Sequence, residues 1–178
     1  DARRYATKTI GRVKHPDSRQ SLMGLMKDSR IRSVAASALG EVGDSLAVPV
    51  LIKALHDSSL SVRRASAKSL GQLKDVRSIP SLIKSMWDSH HSVRFAAAGA
   101  LVAMGPPALK RLSDLLPHPD PLIRSLSSQT IGKIGGESAI QILIPLAEDP
   151  EWAVRAAAAA GLGLSAQSES LPILRRWL

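Results

Sequence analysis

The fold of this chain is decided by residues 57–71, which read DSSLSVRRASAKSLG. They contain a β-branched residue followed by arginine, Val62-Arg63. The same kind of pair recurs along the chain at Ile31-Arg32, Val93-Arg94, Ile123-Arg124 and Val154-Arg155. The intervals between successive arginines are 31, 31, 30 and 31 residues, and a weaker copy stands at Ala2-Arg3. A nearly constant period of this length indicates a repeat protein.

Each repeat is predicted to contain two helices. In the third repeat, small or apolar residues mark one face of a first helix: Val62, Ala65, Ser69, Leu70 and Leu73. After a turn at residues 74–78, a shorter stripe marks a second helix: Ile79, Leu82, Ile83 and Met86. Prolines that cost a helix little stand near the starts of second helices: Pro49, Pro80 and Pro172. The expected fold is all-α, a right-handed α-solenoid of about six two-helix repeats.

We expect one solenoid domain over residues 1–178, because a single helix pair cannot bury its own apolar stripe and must stack on its neighbours. The predicted repeats are residues 1–27, 28–56, 57–87, 88–117, 118–148 and 149–178. The chain begins inside a first helix and ends at Trp177 and Leu178 without a polar capping repeat. This predicts either a segment of a longer array or self-association through the C-terminal end.

The spacing Asp-x4-Val-Arg-x6-Leu-Gly in residues 57–71 resembles the HEAT-like repeat first named from phycobilisome lyases. The resemblance covers essentially the whole chain. It implies a helical solenoid but leaves the activity open, because arrays of this family serve as lyases, adaptors and scaffolds.

The recurrent arginines are predicted to be structural. A residue that stacking requires recurs in every repeat, and here those residues are Arg32, Arg63, Arg94, Arg124 and Arg155. We expect each guanidinium to bind carboxylates or carbonyls of a turn between repeats. The aspartates expected in these turns, and expected to cap the first helices, are Asp57, Asp88 and Asp149.

The net charge of +9 lies in the first half of the chain, because the six repeats carry +5, 0, +4, +1, −1 and 0. Helical spacing groups the cations of first helices on one face: Arg4, Lys8 and Arg12, then Arg64 and Lys68. On second helices the candidates are Lys53, Lys84 and the nearby Arg77, with Trp87 as an apolar anchor. We expect an acidic partner protein to bind one of these two faces. The alternative is a solvated surface that only maintains solubility.

Two other functions stay open from the sequence. The basic half leaves nucleic-acid binding as an alternative, although no known DNA- or RNA-reading motif is visible and aromatic platforms are scarce. The family resemblance implies a second alternative, attachment or removal of a bilin chromophore. Neither a phosphate-binding loop nor a carboxylate pair at catalytic spacing is visible, so we predict a non-catalytic protein that needs no cofactor.

No metal site is predicted, because the histidines stand apart at repeat edges without paired carboxylates: His15, His56, His90, His91 and His118. The chain has no cysteine, which excludes disulfides and thiol chemistry. No apolar run approaches the roughly 20 residues of a membrane span. Residues 1–11 lack the apolar stretch of a signal peptide, so cytoplasmic residence is the default expectation.

Overall fold

The computed structural model describes residues 2–13, 15 and 17–164, and within these ranges the chain is helical without a strand. Its α-helices are α1 (Ala2–Val13), α2 (Ser18–Leu25), α3 (Arg32–Val42), α4 (Val48–Ala54), α5 (Leu60–Leu73), α6 (Ile79–Ser85), α7 (His91–Met104), α8 (Leu109–Ser113), α9 (Pro121–Ile134), α10 (Glu137–Leu143) and α11 (Trp152–Leu164). Long and short helices alternate, as the two stripes in each repeat predict. The all-α fold of about six two-helix repeats is therefore confirmed.

Local sequence explains where the short second helices begin. Asp44 and Asp75 each accept a hydrogen bond from the backbone N–H two residues on, at 2.9 Å, which starts a short 3₁₀ turn. Pro49 and Pro80 follow in the first turns of α4 and α6. Proline is tolerated there because the first helical N–H groups have no partner within the helix.

The chain divides into two units, Asp1–Met104 and Gly105–Leu178. In the first unit, the first helices α1, α3, α5 and α7 pack side by side in chain order, and α2, α4 and α6 pack against α3, α5 and α7. The core between these helices is aliphatic and includes Leu22, Leu39, Leu51, Leu70, Leu82 and Leu101, none with any exposed surface. The structure therefore presents the other faces of the first helices to solvent.

Glycine sets the close spacing of α5 and α7. A Cβ atom at Gly71 would lie 2.8 Å from the Cα atom of Ala100 and 2.9 Å from its Cβ atom. Real Cβ atoms do not approach a backbone so closely, so the two helices meet through backbone and a methyl group. This contact explains why glycine follows the aliphatic residue in this repeat.

In the second unit, α9 packs against α11, and α8 and α10 pack against α9. Its core includes Leu112, Ile123, Ile131, Ile140, Leu143 and Leu162. The backbones of Gly132 on α9 and Gly161 on α11 approach so closely that neither position has room for a side chain.

Two expectations from the sequence stay predictions: the single solenoid domain with its repeat boundaries, and the longer parent array. Pro172, Trp177 and Leu178 lie outside the described residues, as does any self-association through them. In the part of the chain that the structure describes, no helix is long and apolar enough to cross a membrane.

Candidate functional site

Three of the five recurrent arginines, Arg32, Arg63 and Arg124, each bind an aspartate 25 residues later along the chain. Arg124 on α9 donates from Nε to Oδ2 of Asp149 at 2.8 Å and from Nη2 to Oδ1 at 2.9 Å. Arg63 binds Asp88 in the same two-pronged way, and Nη2 of Arg32 donates to Oδ1 of Asp57 at 3.0 Å. A guanidinium group and a carboxylate can form two parallel hydrogen bonds. These ion pairs link one repeat to the turn before the next.

Four of the recurrent arginines also bind carbonyl groups of the turn that precedes their own helix. Nη1 of Arg63 donates to the carbonyl of Asp57 at 3.0 Å, and Nη1 of Arg155 donates to that of Asp149 at 2.8 Å. Arg94 and Arg124 make the matching bonds to the carbonyls of Asp88 and His118. These guanidinium groups are therefore engaged in turns.

The aspartates act in the turn rather than as helix caps. Asp88 accepts a hydrogen bond from the backbone N–H of His90 at 2.9 Å, one residue before α7 begins. The hydrogen bond from Arg63 lowers the pKa of Asp88, burial opposes this shift, and the N–H of His90 reinforces it. The bond from Arg124 lowers the pKa of Asp149 in the same way.

The basic candidates near the second helices differ in whether they form an ion pair. Lys53 and Lys84 are exposed on α4 and α6, and Trp87 follows α6 with 41% of its surface exposed. Arg77 instead binds Asp75 in its own turn, with Nη2 2.6 Å from Oδ2. Hydrogen bonds from Arg77 lower the pKa of Asp75, so the charge of Arg77 is offset locally.

The first-helix candidates meet around one groove, which we call the basic groove. Its rim carries Arg4 and Lys8 from α1 on one side and Arg64 and Lys68 from α5 on the other, and its volume is about 280 Å³. Small residues of α3 lie between the two rims, namely Ser33, Ser37 and Ala38. Because these side chains are shorter than the flanking lysines and arginines, α3 forms the floor.

The four rim cations are available for binding. All four are exposed, and none forms an ion pair within the described residues. Glu41 of α3 also lines the groove, so one carboxylate stands against four cations. Arg12, predicted on the same face, does not line the groove.

The groove belongs to a regular pattern that the sequence reasoning only partly found. In the first unit, the positions one, five and nine residues after Arg3, Arg32, Arg63 and Arg94 share one face of a first helix, and we call each set a surface triplet. The triplets are Arg4, Lys8 and Arg12 on α1; Ser33, Ser37 and Glu41 on α3; Arg64, Lys68 and Gln72 on α5; and Phe95, Gly99 and Ala103 on α7. Counting from the arginines would have identified the triplets of α3 and α7, which charge alone did not.

The α7 triplet forms an apolar slot with α5, which has a volume of about 520 Å³. Phe95 lies in its wall with 58% of its surface exposed. Gly99 also lines the slot and is exposed, and an added Cβ atom there would meet no atom of the described residues within 4 Å. Lys68 lines both the slot and the basic groove, so the two are adjacent.

Two histidines have local roles in turns. Nδ1 of His15 accepts a hydrogen bond from the backbone N–H of Asp17 at 3.2 Å, and Nδ1 of His118 accepts one from Asp120 at 3.1 Å. Across the described ranges, no group of three or more histidines and acidic residues is placed to hold a metal ion.

Comparison with known families agrees with this architecture. A family model described as HEAT repeats matches residues 1–59, 28–102, 48–128 and 106–178. The chain belongs to the HEAT-repeat family. No curated protein matches its sequence significantly.

Solved structures similar to this HEAT-repeat protein include natural and designed repeat proteins. The complex of CpcE and CpcF of phycocyanin lyase from Nostoc sp. PCC7120 is 26% identical with a TM-score of 0.60, over 96% of this chain and 74% of that one. A designed armadillo repeat protein in complex with the peptide (KR)4 is 16% identical with a TM-score of 0.52, over 92% of this chain and 91% of that one. An engineered protein is 18% identical with a TM-score of 0.54, over 98% of this chain and 90% of that one. The two weaker likenesses concern the fold alone.

Proposed function

We propose that this HEAT-repeat protein is a non-catalytic scaffold that binds an acidic segment of another protein in the basic groove. The observation that carries the proposal is the contrast between two sets of cations. Arg32, Arg63 and Arg124 each form an ion pair with an aspartate. The rim cations Arg4, Lys8, Arg64 and Lys68 are exposed and unpaired within the described residues, and they face one groove.

The groove has the length of a short extended segment. Packed helices lie about 8–10 Å apart, so the rims on α1 and α5 are separated by roughly 16–20 Å. An extended peptide rises about 3.3 Å per residue, so about six residues cross from one rim to the other. Acidic residues at both ends of such a segment would each meet a pair of cations.

The pattern of triplets favours an acidic segment over nucleic acid. A phosphate backbone needs cations along a continuous track. The α3 triplet places two serines and Glu41 between the cation pairs, and the α7 triplet of Phe95, Gly99 and Ala103 carries no charge. The cations of the surface triplets therefore form no continuous track from α1 to α7.

Charge reversal on the rim tests the proposal. The probe is a fluorescein-labelled oligoglutamate peptide of about eight residues, a length that spans the groove. We expect Arg64→Glu with Lys68→Glu to weaken binding at least about tenfold, measured by fluorescence anisotropy. The matched control, Lys53→Glu with Lys84→Glu, makes the same change of charge on second helices and should weaken binding only slightly.

Two outcomes would contradict the proposal. Equal weakening by both double variants would mean that the peptide responds only to net charge. Tighter binding of a single-stranded oligodeoxynucleotide than of the peptide, lost in the Arg64→Glu and Lys68→Glu variant, would assign the groove to nucleic acid instead.

The similarity to a phycocyanin lyase complex supports one enzymatic alternative, transfer of a bilin chromophore. Incubation of the protein with a bilin and an apophycobiliprotein tests it. A change in visible absorbance that survives denaturation of the protein would support covalent attachment and would replace the scaffold proposal.

A further inference from the structure

We infer that the bound segment carries a bulky apolar residue beside its acidic stretch, and that this residue enters the apolar slot between α5 and α7. The inference rests on the proposed function, because it assigns the part of the ligand that continues beyond the basic groove. The proposed occupant of the slot is an apolar side chain flanked by carboxylates.

The slot is shaped for a side chain rather than for a flat contact. Gly99 leaves open space between the other two members of its triplet, Phe95 and Ala103, which also line the slot. The close approach of Gly71 to Ala100, which are buried residues of the slot lining, brings α5 and α7 together at its base. An aromatic or leucine side chain placed over Gly99 would pack against the ring of Phe95 and cover apolar surface that is now exposed to water.

The charges around the slot identify what flanks that side chain. Lys68 and Lys74 lie at its edge, and both are exposed. Neither forms an ion pair in the part of the chain that the structure describes. Because Lys68 also belongs to the rim of the basic groove, a segment that leaves the groove beside α5 reaches the slot at once. Carboxylates next to the apolar residue would meet these two lysines.

The test compares three labelled peptides of equal length: oligoglutamate alone, oligoglutamate with one tryptophan at its N-terminal end, and oligoglutamate with one tryptophan at its C-terminal end. We expect one of the tryptophan peptides to bind about tenfold tighter than oligoglutamate, the gain expected from burying one large apolar side chain. The end that gives the gain reports the direction of the segment across the helices.

A leucine at residue 99 separates the slot from the groove. Gly99→Leu adds a branched apolar side chain to the slot lining. No atom of the described residues lies within 4 Å of the new Cβ atom, and leucine favours a helix more than glycine does. We expect this variant to lose the gain from tryptophan and to bind oligoglutamate as the wild type does. Gly24→Leu on α2 is the matched control, because Gly24 is also exposed with open space around it, and it should keep the gain.

The outcomes separate this inference from the proposed function. If oligoglutamate does not bind at all, the proposed function fails. If oligoglutamate binds but neither tryptophan peptide binds more tightly, or if the gain survives Gly99→Leu, only the inference about the slot is overturned. It is also overturned if sedimentation shows a wild-type dimer that Gly99→Leu converts to a monomer, because a second copy would then cover the slot.

Discussion

Arg63 on α5 grips Asp88, the aspartate before α7, with Nε 2.6 Å from Oδ2 and Nη2 3.0 Å from Oδ1. The side chains of Arg63 and Asp88 are only 14% and 11% exposed, so water has little access to this ion pair. Removal of the arginine would leave a carboxylate poorly solvated. The pair is therefore expected to stabilise the stack much more than an ion pair on the surface would.

The first prediction concerns stability. Arg63→Ala should lower the free energy of unfolding by about 1–3 kcal/mol, measured by urea denaturation. Arg64→Ala is the matched control, since Arg64 is exposed and unpaired within the described residues, and its effect should stay within about 0.5 kcal/mol. Equal losses in both variants would contradict a structural role for the pair.

Arg94 provides a second comparison for this prediction. It donates to the carbonyls of Asp88 and Ser89 but to no carboxylate of the first unit. Arg94→Ala should therefore cost less than Arg63→Ala. A larger cost would mean that the carbonyl bonds, rather than the ion pairs, dominate the contribution of these arginines.

The second prediction concerns pH. The pKa of Asp88 is lowered in the folded protein, mainly by the hydrogen bond from Arg63. Such a group stabilises the fold above its unfolded pKa of about 3.9 and loses this contribution as pH falls through the folded pKa. The difference in unfolding free energy between wild type and Asp88→Asn should be constant from pH 7 to about 5 and should shrink below about pH 4. A difference that grows as pH falls would contradict the assigned pKa direction.

The third prediction concerns helix spacing. Gly71→Ala should destabilise the protein by roughly 1–3 kcal/mol, because the new methyl group would meet the backbone of Ala100. Gly99→Ala, on a helix of the same layer, should be neutral or stabilise by up to about 1 kcal/mol, because its site is open and alanine favours a helix. Thermal denaturation of the two variants measures the contrast. The same effect in both would show that the close contact has no energetic weight.

The fourth prediction concerns two buried serines of α5. Among the described residues, the buried hydroxyl of Ser66 has no hydrogen-bond partner, and two other repeats hold alanine at the equivalent position, Ala35 and Ala97. Ser66→Ala should therefore raise the free energy of unfolding by about 1 kcal/mol. The hydroxyl of Ser69 donates to the carbonyl of Ala36 at 2.8 Å, so Ser69→Ala should lower it. A loss of stability in Ser66→Ala would indicate that its hydroxyl is satisfied after all.

The fifth prediction concerns ligand affinity. Glu41 is the one carboxylate among the residues that line the basic groove, and it repels an acidic segment. Glu41→Gln keeps the shape and removes the charge, so it should tighten binding of oligoglutamate by a few-fold at low salt and by less at high salt. Fluorescence anisotropy measures both. Unchanged affinity at low salt would place the peptide away from α3.

The sequence predicted the fold because a period of about 31 residues, two helical stripes and prolines at second-helix starts all agree. It also predicted that Arg4 and Lys8 share a face, because residues four apart lie on one side of a helix. It did not predict that Arg77 pairs with Asp75. Residues two apart do not face each other on an α-helix, and only the 3₁₀ turn at Val76–Ser78 brings them together.

The sequence also could not predict which basic face forms a groove. The rims on α1 and α5 become a groove only because α3, between them, contributes short side chains. The pattern of charges in the sequence identifies the residues of the rims, but it does not show that the surface between them is recessed. The apolar character of α7 was visible in the sequence, but the slot also depends on the packing of α7 against α5 at Gly71 and Ala100, which only the structure supplies.

A recurrent arginine and the first member of its surface triplet are adjacent in sequence, but the arginine is selected for stacking and its neighbour for binding. Arg63 and Arg94 bind groups of the turns, while the next residues, Arg64 and Phe95, are exposed to solvent. Drift at the outward positions can therefore rewrite what a repeat recognises while the frame stays intact. Duplication or exchange of one repeat would shift a whole recognition element by a fixed step, so new specificities could arise by rearranging modules instead of inventing them.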